Sequence, residues 1–182
     1  MTPEAAAALV LEHALSRRPT LGRGRLVCVD GPSGSGKSTL ASAILSRTPG
    51  QLVQVDELFP GWDGFAEIPQ RLERFLGPLA AGEDGHWQRY DWFTGRFAEW
   101  HRVRPGGLLV VEGVGSGHRR WTHLTTTLAW VEAPRAERLR RGLTRNDEMA
   151  EHWRRWQVQE DAMFATQQTR RRADVVVPNS DK

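Results

Sequence analysis

Gly31-Pro32-Ser33-Gly34-Ser35-Gly36-Lys37-Ser38-Thr39 fits the pattern G-x-x-x-x-G-K-[ST] at every fixed position. Before it, Arg25-Leu26-Val27-Cys28-Val29-Asp30 reads as a short, mostly apolar strand. After it, the run from Ser38 to Arg47 places Leu40, Ala41, Ile44 and Leu45 at helical spacing. Strand, glycine-rich turn and helix is the setting in which this pattern cradles phosphate. Glycines at 31, 34 and 36 let the backbone take positive φ and wrap close to an anion. The loop's N–H groups and the new helix's N-terminus then point at phosphate oxygens. Lys37 would reach the β- and γ-phosphates, and the Ser38 hydroxyl would hold Mg²⁺. The stretch predicts a nucleoside triphosphate site built from Gly31, Ser33, Gly34, Ser35, Gly36, Lys37, Ser38 and Thr39.

The rest of the composition narrows the class. With 182 residues, the chain has the length of one domain with a real core. We read residues 1–182 as that domain, with an N-terminal helix in 1–18 and a lid plus C-terminal helices in 135–172. No apolar run approaches the roughly 20 residues needed to span a membrane. The N-terminus lacks the basic start and long apolar core of a signal peptide. A single cysteine, Cys28, rules out a disulfide framework and fits a reducing, cytoplasmic setting. The formal charge is +3, but the arginines concentrate between Arg135 and Arg172, where a phosphate-handling lid would need them. Charge alone therefore does not favour a nucleic-acid partner. Eight tryptophans read as core or rim packing. An oligomer is compatible with all of this.

Along the chain, residues 3–17 predict a helix with Leu9, Val10, His13 and Ala14 near one face. Leu52 to Val55 predicts a second strand, ending on Asp56-Glu57. Residues 67–81 place Ile68, Leu72, Phe75, Leu76 and Leu79 on one helical face. Residues 86–103 mix aromatics, arginines and acids without clean periodicity, and read as a substrate-facing insertion or short helix. Strands follow at Leu108–Val111, ending on Glu112-Gly113, at Leu128–Val131, and at Val175–Val177. Strands alternating with helices predict an α/β fold: a three-layer P-loop NTPase architecture with a five-stranded parallel sheet and helices on both faces.

Strand ends on one sheet edge are where ligands sit in such folds. Phosphoryl transfer needs a base, a metal-side carboxylate and cations to neutralise developing charge. Asp56 fits the base and Glu112 the metal-side carboxylate, although Asp56 as an indirect metal ligand stays open. Arg138, Arg141 and Arg145 stand at i, i+3 and i+7, so they share a helical face that could close over the triphosphate.

Taken in order, GPSGSGKST, a strand ending in Asp56, Tyr90-Asp91-Trp92, Val111-Glu112-Gly113, Arg138-Leu139-Arg140-Arg141 with Arg145-Asn146-Asp147, and Arg172-Ala173-Asp174-Val175-Val176-Val177-Pro178 resemble the uridine kinase family. Phosphoribulokinase and pantothenate kinase are relatives of that family. The resemblance implies ATP and Mg²⁺ as cofactors and a small hydroxyl-bearing molecule as phosphoryl acceptor. It implies Asp56 as catalytic base, Ser38 and Glu112 on the Mg²⁺ side, and Arg141 and Arg145 in the lid, with Lys37 and Arg138 on the phosphates. Tyr90, Asp91 and Arg96 would lie on the acceptor side, and Pro178 near the adenine. The run Tyr90-Asp91-Trp92-Phe93 carries no histidine where the family has one. The chain's length predicts little room for the hairpin that the family folds over its nucleoside. The second reading is a nucleotide-binding or ATPase protein that serves a protein partner.

Overall fold

The computed structural model describes residues 1–145 and 150–179. Its centre is β1 (Gly24–Asp30), a strand buried on both faces. Parallel partners flank it, β5 (Gly107–Glu112) on one side and β6 (Thr127–Glu132) on the other. β2 (Gln51–Gln54) extends the sheet beyond β5, and β7 (Val175–Pro178) extends it beyond β6. The order is β2-β5-β1-β6-β7, with every pairing parallel. Consecutive connections therefore run in opposite directions on either side of β1. That reversal opens a crevice at its C-terminal end, where the glycine-rich stretch begins.

The two-residue period of a strand divides the core. Val27 and Val29 of β1 face one cluster, with Val110, Ala129 and Val131 from its neighbours. Leu26 and Cys28 face the other, with Leu109, Val111 and Leu128. The first cluster is closed by α1 (Pro3–Ser16) and α2 (Lys37–Leu45), through Ala6, Ala7, Val10, Leu40 and Ile44. The second is closed by α3 (Ile68–Ala80) and by Trp156 of α5 (Ala150–Gln167). A five-stranded parallel sheet with helices on both faces is thus what the chain forms.

The predicted face of α3 is the buried one: Ile68, Leu72, Phe75, Leu76 and Leu79. In α1 the face differs from expectation. Thr2 caps the helix through a bond from the Ala5 amide, but Leu9 is 44% exposed while Ala6 and Ala7 are fully buried. Small alanines let the helix approach the sheet closely, so they select the inner face over the bulkier Leu9. His13 packs with its Nδ1 3.0 Å from the Thr127 hydroxyl. The charged stretch 135–172 contains α4 (Arg135–Arg145), α5 and a short α6 (Thr169–Arg172).

Residues 86–103 are a correction. They form an antiparallel hairpin, β3 (Gly85–Asp91) with β4 (Arg96–Val103), rather than a short helix. The chain does hold a two-stranded hairpin within its length. Its register shifts between Gln88 and Tyr90, and a bulge of that kind breaks period-two alternation. The turn is held by the Asp91 carboxylate, which accepts from the Phe93 and Thr94 amides, and by Gly95 at φ 67°. Among the described residues no helix is long and apolar enough to cross a membrane.

Candidate active site

β1 ends on Asp30, which is fully buried. Its Oδ1 accepts from the amides of Gly31 (2.8 Å) and Gly115 (3.0 Å), and its Oδ2 from the amide of Gly117 (2.9 Å). One carboxylate therefore joins the start of the phosphate loop to the loop after β5. Burial pushes its pKa up to about 6, against the pull of those amides and of Lys37. At Gly31, φ is 145° and a Cβ would collide with the Val131 carbonyl oxygen, so no side chain fits. Gly36 begins α2 in the left-handed region with no side-chain cap, leaving the helix's first amides directed outward.

A cavity of about 580 Å³ opens in front of this loop. Ser33, Gly34, Gly36, Lys37, Ser38 and Thr39 of the loop line it. Asp56, Phe59, Trp62, Trp92, Glu112, Trp153 and Trp156 complete the lining. Lys37 is largely buried and donates from Nζ to the Pro32 carbonyl at 3.2 Å. The Ser38 hydroxyl donates to Glu112 Oε1 at 2.9 Å, and Gln54 Nε2 donates to the same oxygen at 3.0 Å. Asp56 sits on a single 3₁₀ turn just past β2. Its backbone carbonyl accepts from the Trp92 indole at 2.8 Å, which ties the hairpin to the end of β2.

The arginine helix reaches the loop from outside. Arg141 donates to the Gly34 carbonyl at 3.1 Å and pairs with Glu137. Arg138 donates to the Ala133 carbonyl and pairs at 3.2 Å with Glu160 of α5. The Arg145 side chain and residues Asn146 and Asp147 lie outside the described residues. Glu160 is fully buried and also accepts from the Ser33 amide (3.0 Å) and hydroxyl (2.7 Å). Burial raises its pKa, opposed by Ser33, Lys37 and Arg138. One helical turn away on α5, Trp156 donates its indole N–H to the Ser33 hydroxyl at 3.0 Å.

The structure thus brings Lys37, Ser38, Glu112 and Asp56 to one cavity, with Arg141 bound to its loop and Arg138 joined to it through Glu160. Tyr90, Asp91 and Arg96 do not line it. Tyr90 packs edge-on against Trp92, Asp91 holds the hairpin turn, and Arg96 is exposed opposite Asp91. Pro178 is exposed at the end of β7, and the next residue, Asn179, donates to the Ser35 carbonyl at 2.7 Å.

Two site residues escaped the sequence reading. Asp30 carried a signal, an acid closing an otherwise apolar run directly before Gly31. Glu160 carried none, being one acid among many charges on a helix. The aromatic wall was visible only as an excess of tryptophan.

No family model matches the chain, and no curated protein matches it. Solved structures do. A possible uridine kinase from Bacillus stearothermophilus superposes with a TM-score of 0.67 at 18% identity, over 95% of this chain and 97% of that one. A candidate fructose transport system kinase from Silicibacter sp. TM1040 superposes with a TM-score of 0.57 at 20% identity, over the full length of both. The chain shares the fold of these two solved structures. Identities this low carry the fold alone, so the chemistry has to be argued from the cavity.

Proposed function

We propose that the protein transfers the γ-phosphoryl group of ATP to a hydroxyl of a small molecule. The observation that carries this reading is that Asp56 lines the same cavity as Lys37, Ser38 and Glu112. The acceptor oxygen attacks the γ-phosphorus while Asp56 takes its proton, and the bond to the bridging oxygen breaks to release ADP. Lys37 and the loop amides neutralise charge on the phosphates. Arg138 and Arg141 brace the loop as part of a lid spanning 135–172, with Arg145 and the Pro178 edge on the nucleotide side. Tyr90, Asp91 and Arg96 act on the acceptor side indirectly, by shaping the hairpin that carries Trp92.

Mg²⁺ fits the donors present. It takes hard oxygen ligands, with one or two from protein and the rest from phosphate and water. Ser38 and Glu112 supply a hydroxyl and a carboxylate already in contact. Among the described residues no group of three His, Cys, Asp or Glu forms a metal cage of its own. When bound, the ion would screen the β- and γ-phosphate oxygens.

A second reading, a nucleotide-binding protein serving a partner, draws on the hairpin's surface. There Phe93 is 99% and Trp100 66% exposed. The two readings separate in one assay: ATP and Mg²⁺ with a panel of small alcohols, with product mass measured. A product heavier by one phosphoryl group establishes the kinase. ATP binding without any such product, across the panel, points to the partner.

A further inference from the structure

The cavity wall facing the phosphate loop is made of rings, and their arrangement bears on what the acceptor is. Trp62 stands at 72° to Trp92, with centroids 5.5 Å apart, and at 80° to Trp156, at 6.0 Å. Phe59 stands at 87° to Trp92, at 6.0 Å. Trp62 thus makes a corner with each of Trp92 and Trp156, while Phe59 stacks on Trp156 at 22° and 5.1 Å and His152 stacks on Trp62 at 22° and 5.6 Å. Two perpendicular faces can both contact one compact group, whereas a flat ring can lie parallel to only one of them.

The indole N–H donors of two of these tryptophans are already engaged. Trp92 spends its N–H on the Asp56 carbonyl and Trp156 spends its N–H on the Ser33 hydroxyl. Neither has a donor left for an anion or for a nucleobase carbonyl, since an indole carries one donor only. What Trp92 presents is π-surface, which is negative over the ring face, whereas Trp156 is buried with Phe59 stacked on it. Asp56 adds a carboxylate to the same wall.

We infer that the phosphoryl acceptor is a cationic alcohol, a small molecule bearing a hydroxyl and an ammonium group. The inference rests on the kinase reading above. The ammonium packs into the corner formed by Trp62, Trp92 and Trp156, and the hydroxyl is directed toward Asp56. Its oxygen bonds to the γ-phosphorus, the bond from that phosphorus to the β-bridging oxygen breaks, ADP leaves with the electron pair, and the hydroxyl proton passes to Asp56. The product is a phosphomonoester that keeps its positive charge. A cation over a desolvated tryptophan gains about 10- to 30-fold in affinity.

The test uses matched pairs: choline and its neutral carbon isostere, ethanolamine and ethylene glycol, glucosamine and glucose. Each is titrated into the full chain with tryptophan fluorescence as readout, then incubated with ATP and Mg²⁺ and the product weighed. A cationic member should bind about tenfold or more tightly than its neutral partner and gain one phosphoryl group. Trp62→Leu should weaken that binding about tenfold and Trp62→Phe should restore most of it. ATP affinity in the same variants reports that the fold is intact. If no cation outbinds its neutral partner, or if nucleosides are phosphorylated and cationic alcohols are not, the inference falls while the kinase reading stands. If a cation binds selectively but no alcohol is phosphorylated, the cation site stands and the kinase reading falls.

Discussion

Asp30 shows how one buried carboxylate can organise a site without touching a ligand. Unfolded, it loses its proton near 3.8; folded, it holds it to about 6. Between those values the folded state binds the extra proton. The residue's contribution to stability is therefore complete below the lower value and is lost as pH rises through the upper one, a gap of about 3 kcal/mol. Melts of the wild type and Asp30→Asn across that range should show their difference moving in favour of the asparagine variant as pH rises. A constant difference would contradict the assignment. Gly31→Ala should abolish ATP binding, because the added methyl meets the Val131 carbonyl in a fully built turn. Asp56→Asn should lower kcat by about 10²- to 10⁴-fold with ATP affinity retained. Near wild-type turnover in that variant would remove Asp56 as base and leave it, at most, an indirect metal ligand.

Among the secondary-structure elements, α5 does two jobs with residues one turn apart. Trp156 lines the cavity, and Glu160 holds the Ser33 amide and hydroxyl together with Arg138. Glu160→Gln sets an amide NH₂ among donors. It should cost about 1–3 kcal/mol in denaturant unfolding and weaken ATP binding with it. Unchanged stability would mean that the amide finds another arrangement. α3 is simpler, and Leu72→Ala should cost about 2–5 kcal/mol with no effect on ATP affinity, since Leu72 is fully buried away from the cavity. The periodicity of α3 was legible because its apolar face is continuous. The β3–β4 hairpin was not, because a bulge shifts the alternation and its turn spends an Asp91 carboxylate rather than an Asn-Gly pair.

Across the protein as a unit, the loop and the sheet stand or fall together. The loop's first residue packs on β6, its third bonds to α5, and its fifth bonds to the chain just past β7. Ligand occupying the loop should therefore stabilise the fold globally. ATP with Mg²⁺ at a hundred times its Kd should add about 2.7 kcal/mol, which for a chain of this length is a rise of about 5–10 °C in Tm. Lys37→Ala should erase most of that rise. If Lys37→Ala keeps it in full, the nucleotide is bound elsewhere.

The phosphate loop, the parallel sheet and the acids at its strand ends were determined by sequence alone, because each depends on local chemistry. Glycines permit positive φ, apolar runs make buried strands, and acids at strand ends mark the ligand edge. Ser38 and Glu112, each read from the sequence as a metal-side residue, are in hydrogen-bond contact. Tertiary structure alone decided the rest. Glu160 meets Ser33 across 127 residues of chain, and the ring wall draws Phe59, Trp62, Trp92 and Trp156 from three separate segments. Such contacts depend on how elements pack and rotate against each other, and no local pattern of residues encodes that angle.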